Sequence, residues 1–473
     1  LPFLILAQAL QKVNPQPEAA IDCLEKGIKA TQPQSEPLTY VNLLSELRSL
    51  YFSQKQYLKA FEIKQKQQTV ELQFQLRAFI GAGQLQPALF SGDAETRRHG
   101  DARVEDTGRR GRGDAGIGER GEATSFDSQI LSSYPFGRKQ DIEYLVNERI
   151  ALPKHKLTVL YGPSGVGKSS LISAGLMPVL GKKAIGDRLT MPVKLTVYTD
   201  WVKALGQELA EVLQVHEEIE LAAPLDSIEA IRTQLQANAQ RHWLTVLVFD
   251  QFEEFFFIYP QKEQLSKLYQ FLLACVKGKE IPFVKIILAL REDYLHYLLE
   301  FEQFAENERL ESDLLRKDQR YYLGNFTLET ARTVITELTE RTQFRLEDKL
   351  ITALVQDLTT ELKQVRPIEL QIVGAQLQAE EITTLSQYQQ LGPNPKTTLA
   401  QRSLDMVVAD CGAENLPTAW QILASLTDEK GRRTLCTQAE LELNFNLAPP
   451  STIPKTRPEF KLWANSLSPR FVD

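Results

Sequence analysis

Apolar positions change their rhythm along this chain, and the changes divide it into segments. From residue 1 to about 90 the spacing is helical. Leu43, Leu44, Leu47, Leu50 and Tyr51 recur at intervals of three and four, the spacing that lines one face of an α-helix. After the polar break Phe52–Gln56 come Tyr57, Leu58, Ala60 and Phe61, then Gln- and Lys-rich sequence, which predicts a second helix folded back on the first. A helix over 19–28 has the same texture. The arrangement resembles a tetratricopeptide repeat, in which a small residue such as Ala60 lets neighbouring helices approach. A plain helical bundle is the competing reading, because the repeats cannot be phased to a clean period.

Residues 91–128 lose the pattern. Gly, Arg, Asp and Glu dominate, most densely at Gly108–Gly113. Such composition buries too little apolar surface to offset chain entropy, so a disordered linker is expected. An Arg-Gly RNA-binding box would need aromatic residues for stacking, and acidic residues interleave here instead. From 129 to 325 near-continuous apolar runs alternate with helical segments. The runs are 157–161, 193–198, 244–249 and 284–290, which predicts an α/β domain with a parallel sheet covered by helices on both faces. The helical rhythm returns over 326–400 and 401–445, and a Pro-rich tail of irregular sequence occupies 446–473.

Hydrophobic residues make up 43% of the 473 positions and charged residues 24%, as in ordinary globular proteins. The net charge of −7 opposes rather than attracts nucleic acid. Cys23, Cys275, Cys411 and Cys436 form no CxxC pair and lie apart from histidines, which argues against zinc or a disulfide framework and fits a reducing cytoplasm. No apolar run reaches the length of a bilayer span. The first residues, 1–7, are apolar but short and lack a basic lead-in, so a core helix is expected there rather than a signal peptide. The chain opens on Leu and stops in irregular sequence, as a fragment of a longer protein would.

The chemistry concentrates in the α/β segment. Gly162-Pro163-Ser164-Gly165-Val166-Gly167-Lys168-Ser169 follows a predicted strand and precedes a predicted helix over 169–176, with Ser170 next in line. Glycines let backbone amides turn toward phosphate oxygens, and the helix start adds its unpaired N–H groups. Lys168 offers a point charge to the β- and γ-phosphates, and Ser169 a hydroxyl for Mg²⁺. Asp250 ends the apolar strand 244–249, where a carboxylate can join the Mg²⁺ shell. Glu253 and Glu254 follow as candidate bases, with Glu253 preferred. Arg291 ends the strand 284–290 and faces the crevice in which open sheets bind ligands. A surface ion pair with Glu292 or Asp293 is its alternative reading.

Taken in order, these motifs resemble STAND-class P-loop ATPases, in particular the bacterial novel STAND subgroup, over residues 134 to about 440. The segment Tyr134-Pro135-Phe136-Gly137-Arg138 is similar to the opening motif whose backbone and arginine lie near the adenine, with one residue missing between Phe136 and Gly137. Asp250 to Glu254 resembles the extended acidic motif of the class, with Gln251 where AAA+ proteins carry a glutamate. Residues 323–331 resemble the strand-to-helix lead-in to the helical domain. Val365-Arg366-Pro367 resembles the motif whose proline ring packs on the base, although Pro367 reads from sequence alone as a good first helical residue. Residues 419–426 and 431–433 are similar to a winged-helix module. Helical repeats ahead of such an ATPase are an arrangement common in cyanobacterial proteins.

The resemblance implies a signalling switch: ATP and ADP with Mg²⁺ as cofactors, slow hydrolysis, a nucleotide-dependent homo-oligomer, and a protein partner on the N-terminal repeats. Neither membrane nor nucleic acid is expected as a partner. A turnover ATPase doing mechanical work and a repeat scaffold with a vestigial ATPase domain are the rival functions.

Overall fold

The computed structural model describes residues 2–12, 17–81, 137–217, 224–259, 262–277, 281–298, 318–426 and 441. The linker 91–128, the tail 446–473, Tyr134–Phe136, Gly431–Arg433 and Cys436 lie outside the described residues.

The N-terminal segment is helical, as its periodicity predicts. Helices α1 (Pro2–Lys12) and α2 (Pro17–Ala30) pack together, as do α3 (Pro37–Ser53) and α4 (Tyr57–Gln73). The predicted stripe Leu43, Leu47, Leu50 and Tyr51 is buried with Ala60 of α4, and Phe52 meets Tyr57 edge-on across the turn. Tertiary burial of this stripe, more than helix propensity, stabilises helices of such length.

The α/β domain opens with α5 (Lys139–Tyr144), which continues as a wide π-helical turn, Leu145–Ile150. Strand β1 (Leu157–Gly162) follows, then helix α6, made of Lys168–Ser170, a second wide turn Leu171–Leu176, and Met177–Lys182. The predicted helix therefore runs past Pro178. Proline lacks the N–H that would bond four residues back, and the wide turn just before it accommodates that loss. Next come β2 (Ala184–Ile185), β3 (Arg188–Leu195), α7 (Trp201–Glu217), α8 (Ile228–Gln240) and β4 (Trp243–Phe249). Then α9 (Glu253–Ile258), α10 (Lys262–Lys277), β5 (Val284–Arg291) and β6 (Arg320–Tyr322) complete it.

Among the described residues, six strands form one sheet in the order β2-β3-β4-β5-β1-β6, parallel except for β2 against β3. The strand expected over 193–198 lies earlier, over Arg188–Leu195. Pro192 fits there because β2 pairs only with Arg188 and Leu189, which leaves the proline on a stretch with one neighbour. Alternation along the strands feeds two cores. Leu247, Phe249 and Leu288 face α7 to α10, whereas Val246, Val248, Ile287 and Ala289 face α5 and α6. The outer edge of β6 is closed by Arg149, whose guanidinium donates to the carbonyls of Asp318 and Arg320.

Beyond the sheet, β7 (Phe326–Thr327) and β8 (Gln364–Val365) pair antiparallel. Around them pack α11 (Leu328–Glu340), α12 (Asp348–Asp357), α13 (Pro367–Ala379), α14 (Leu385–Gln389) and α15 (Pro395–Ala409). Helix α16 (Leu416–Ser425) follows a single 3₁₀ turn, Ala413–Asn415. Helix α15 spans residues 400 and 401: Leu399 packs in the helical-domain core, whereas Leu404 and Val408 pack with Ala419 of α16.

Leu288 is fully buried at the centre of the sheet. Leu288→Ala is expected to destabilise the protein by about 2–5 kcal/mol, the usual cost of such a core truncation. Urea unfolding would show this as a lowered midpoint with an unchanged slope.

Candidate functional site

The parallel register of β4, β5 and β1 brings the motifs together. Gly162 pairs with Arg291 and Phe249 with Leu288, so the strand ends carrying the phosphate-loop motif, Asp250 and Arg291 lie side by side at the carboxyl edge.

The loop from Gly162 to Lys168 depends on its glycines. A Cβ on Gly162 would lie 2.2 Å from the Leu323 carbonyl oxygen, so no side chain fits while the chain leaving β6 passes there. Gly165 (φ +77°) and Gly167 (φ +95°) adopt left-handed backbone, and Gly167 caps the N-terminus of α6. Lys168 folds back over the loop: its Nζ donates to the carbonyls of Gly162 (2.8 Å) and Pro163 (2.9 Å). Ser169 Oγ donates to Asp250 Oδ1 at 3.1 Å. That bond joins the loop to a strand 81 residues downstream, across β5.

Asp250 is 3% exposed. Its Oδ1 also accepts the Gln251 N–H at 2.9 Å, and Tyr198 Oη donates to its main-chain oxygen at 2.7 Å. Burial pushes the Asp250 carboxyl above its ordinary range, against the Ser169 hydrogen bond and the charges of Lys194 and Lys168. Gln251 is left-handed (φ +54°), a conformation unusual for a residue with a side chain. This kink lets the Phe252 N–H reach the Ala289 carbonyl at 2.8 Å. It also sets Glu253 against β5, where Oε2 accepts the Arg291 backbone N–H at 3.3 Å. Burial raises the Glu253 carboxyl too, with Lys168 opposing. Glu254 lies in the same first turn of α9, its N–H bonded to the Gln251 carbonyl.

The Arg291 guanidinium pairs with Asp293 at 2.7 Å and lies over the Tyr294 ring. Its backbone is thus part of the strand-end cluster, while its charge meets Asp293 beyond the strand.

Three expected base-end residues gather around the β7–β8 pair. Gly137 is left-handed (φ +71°), and a Cβ there would come within 2.6 Å of Val334 Cγ2 on α11. Arg138, 7% exposed, donates to the carbonyls of Val166 (2.9 Å) and Gly324 (2.8 Å) and stacks over Phe326 of β7. Phe326 pairs with Val365 of β8, and buried Pro367 begins α13 two residues on. Arg138 therefore ties the loop to the first residues of the helical domain.

Sequence reasoning missed Lys194 and Tyr198. Lys194 donates to Ser173 Oγ at 2.9 Å and its charge acts on Asp250. A lysine inside an otherwise apolar strand run is the signal that would have found it. Glu292, read from sequence only as an ion-pair candidate for Arg291, also feels the Lys168 charge.

A family profile described as Novel STAND NTPase 1 matches residues 124–451. No curated protein matches the chain. Among solved structures, a Walker-type ATPase of Pyrococcus abyssi aligns at 15% identity with a TM-score of 0.43, covering 71% of this chain and 90% of that one. The ORC2 protein of Aeropyrum pernix, solved as ADPNP-ADP complexes, aligns at 11% identity with a TM-score of 0.39, covering 73% and 86%. Cdc6p of Pyrobaculum aerophilum aligns at 11% identity with a TM-score of 0.38, covering 72% and 89%.

A carboxylate whose folded pKa is raised favours folding below its unfolded value and loses that contribution as pH climbs through the folded value. For Glu253 the loss begins above 4.5. With a chelator present and no nucleotide, Glu253→Gln is expected to melt about 2 °C or more above wild type at pH 7. The two should converge below pH 4.5 in a scanning-calorimetry series, and a gap that is the same at every pH would contradict the burial argument.

Proposed function

Because this chain belongs to the Novel STAND NTPase 1 family, we propose that it is an ATP-binding, slowly hydrolysing switch whose conformation and assembly depend on ATP versus ADP. One observation carries the site assignment: Ser169 Oγ lies 3.1 Å from Asp250 Oδ1 while Lys168 spans the loop between them and Gly162.

The residues suit a nucleotide and Mg²⁺. The loop amides, with the N-terminus of α6, receive the phosphates, and Lys168 exchanges its two carbonyl partners for phosphate oxygens. Ser169 and Asp250 offer two hard oxygen donors, the kind Mg²⁺ prefers. Among the described residues no group of three or more His, Cys, Asp or Glu could hold a metal, so phosphate and water would complete the shell. When bound, Mg²⁺ supplies charge neutralisation on the phosphates. Asp250 would then be held ionised by that cation, reversing the burial effect seen without it.

Glu253 is the candidate base. Its carboxyl is held at the end of β5 by a backbone donor, and its raised proton affinity suits taking a proton from water. Glu254 would set the field around it. Arg291 would reach a γ-phosphate only by leaving Asp293, which would make it a reporter of ATP. Gly137, Arg138 and Pro367 would form the base end, with Arg138 acting through the Val166 carbonyl rather than by a free guanidinium. The two nucleotides bias the switch only as far as their affinities for its two states differ. The N-terminal helices would take a protein partner, as helical repeats do. None of the described helices is long and apolar enough to cross a membrane.

Lys168→Ala should weaken ATP and ADP binding at least about 100-fold by titration calorimetry, about 2.8 kcal/mol at about 1.4 kcal/mol per decade. Unchanged binding would remove the site. Glu253→Gln should keep ATP affinity and lose hydrolysis by about 10²–10⁴-fold, the usual share of a general base. Light scattering should show a larger mass with ATP than with ADP. One mass under both nucleotides would remove the assembly part of the proposal.

A further inference from the structure

The N-terminal helices do not stand apart from the rest of the chain. Asp410, at the C-terminal end of α15, accepts from Arg48 of α3 at 2.6 Å and from Lys64 of α4. Four residues on, Glu414 accepts from Tyr57 Oη at 2.8 Å and pairs with Lys55 at 3.1 Å. Between the two carboxylates, Gly412 is left-handed (φ +89°), and a Cβ there would lie 2.2 Å from the Tyr57 ring. The turn thus presses its bare backbone onto Tyr57 and places one carboxylate on either side. The Asp410 and Lys64 side chains are 18% and 13% exposed, so this contact is far drier than a surface ion pair.

A second contact lies nearby. Phe79, fully buried, fills the notch left by Gly374 on α13, where a Cβ would meet its ring at 2.4 Å. The N–H groups of Ala78 and Ile80 donate to the side-chain oxygens of Gln378 and Gln371. This short strap fixes where α4 leads and keeps the basic face of α3 and α4 over the acidic turn.

We infer that the surface formed by α3, α4 and the turn between them, bearing Arg48, Lys55, Tyr57 and Lys64, is a binding surface for an acidic helix terminus, occupied in cis by this chain's own turn 410–414. The partner it fits in trans is a protein segment of the same chemistry: a helix end with two carboxylates four residues apart around a small residue. Such a partner and the helical module compete for one surface, and binding it frees the turn that follows α15. The inference deepens the proposed role of the N-terminal helices in partner binding and rests on that reading for its function. The cis contact itself stands on the geometry.

The test uses the full chain without nucleotide. Asp410→Lys places a cation against Arg48 and Lys64 and should release the turn; Gly412→Ala is an independent release, by collision with Tyr57 and backbone strain. The probe is a fluorescein-labelled peptide of residues 404–416 carrying Cys411→Ser, read by fluorescence polarisation. Both variants should bind it at least about tenfold tighter than wild type, about 1.4 kcal/mol. A control peptide with Asp410→Asn and Glu414→Gln should not bind. In the triple variant Arg48→Glu/Lys64→Glu/Asp410→Lys the swapped charges should restore the cis contact, so that hydrogen exchange in α3 and α4 returns from the raised level of Asp410→Lys to that of wild type. Equal peptide affinity in wild type and both variants, or equal binding of the control peptide, overturns the inference. Because no arm needs nucleotide, that failure is distinct from a failure of Lys168→Ala to lose ATP.

Discussion

The hydrogen bond from Ser169 to Asp250 depends on a constraint of topology. The strand that delivers the phosphate loop and the strand that delivers the carboxylate are not neighbours; β5 lies between them. A hydroxyl on the first turn of α6 and a carboxylate just past β4 meet because the parallel register ends β1 and β5 together at Gly162 and Arg291 and ends β4 earlier, at Phe249, level with Leu288 and Val159. The site is therefore a property of the whole sheet. The two cores on its faces fix the strand ends far more firmly than a loop of this composition could fix itself.

A second level of organisation joins this edge to the helical domain. The Leu323 carbonyl rests where Gly162 has no side chain, and the Leu323 N–H bonds to Tyr161. Arg138 then bridges Val166 and Gly324 and lies on Phe326. A displacement of the loop backbone is thus felt by the residues that begin the helical domain, through groups in direct contact. The N-terminal helices join the same assembly through Phe79, which packs against Gly374 of α13, and through the turn after α15.

What could be read from the sequence was what the chain writes locally. The phosphate-loop motif occupies eight consecutive residues, and Asp250 and Glu253 follow an apolar run that the structure makes a fully buried strand. The helical stretch Leu43 to Tyr51 was likewise legible from its spacing of three and four, although Leu44 turns to a second cluster with Tyr40 and Val70. The partners of Arg138 were not, since Val166 and Gly324 are 28 and 186 residues away and carbonyl oxygens leave no mark in a sequence. Strand β3 was read late because Pro192 normally counts against a strand, and its tolerance depends on how short β2 is. The pairing of Arg48 with Asp410 spans 362 residues, and nothing adjacent to either residue in the sequence marks it.

Arg149 has a consequence for how copies of this chain could associate. Strand β6 is only three residues long, and its outward carbonyls at 318 and 320 already have a donor. At the opposite margin β2 offers two residues and runs against the grain of the sheet. Beyond it β3 has a neighbour on one side only, and Pro192 interrupts its row of donors, so among the described residues both rims are short or broken, which works against the edge-to-edge stacking that turns open sheets into fibres. Rings or arrays built from it would have to be knitted through helices and side chains, contacts that can be made and undone without disturbing the sheet that holds the loop.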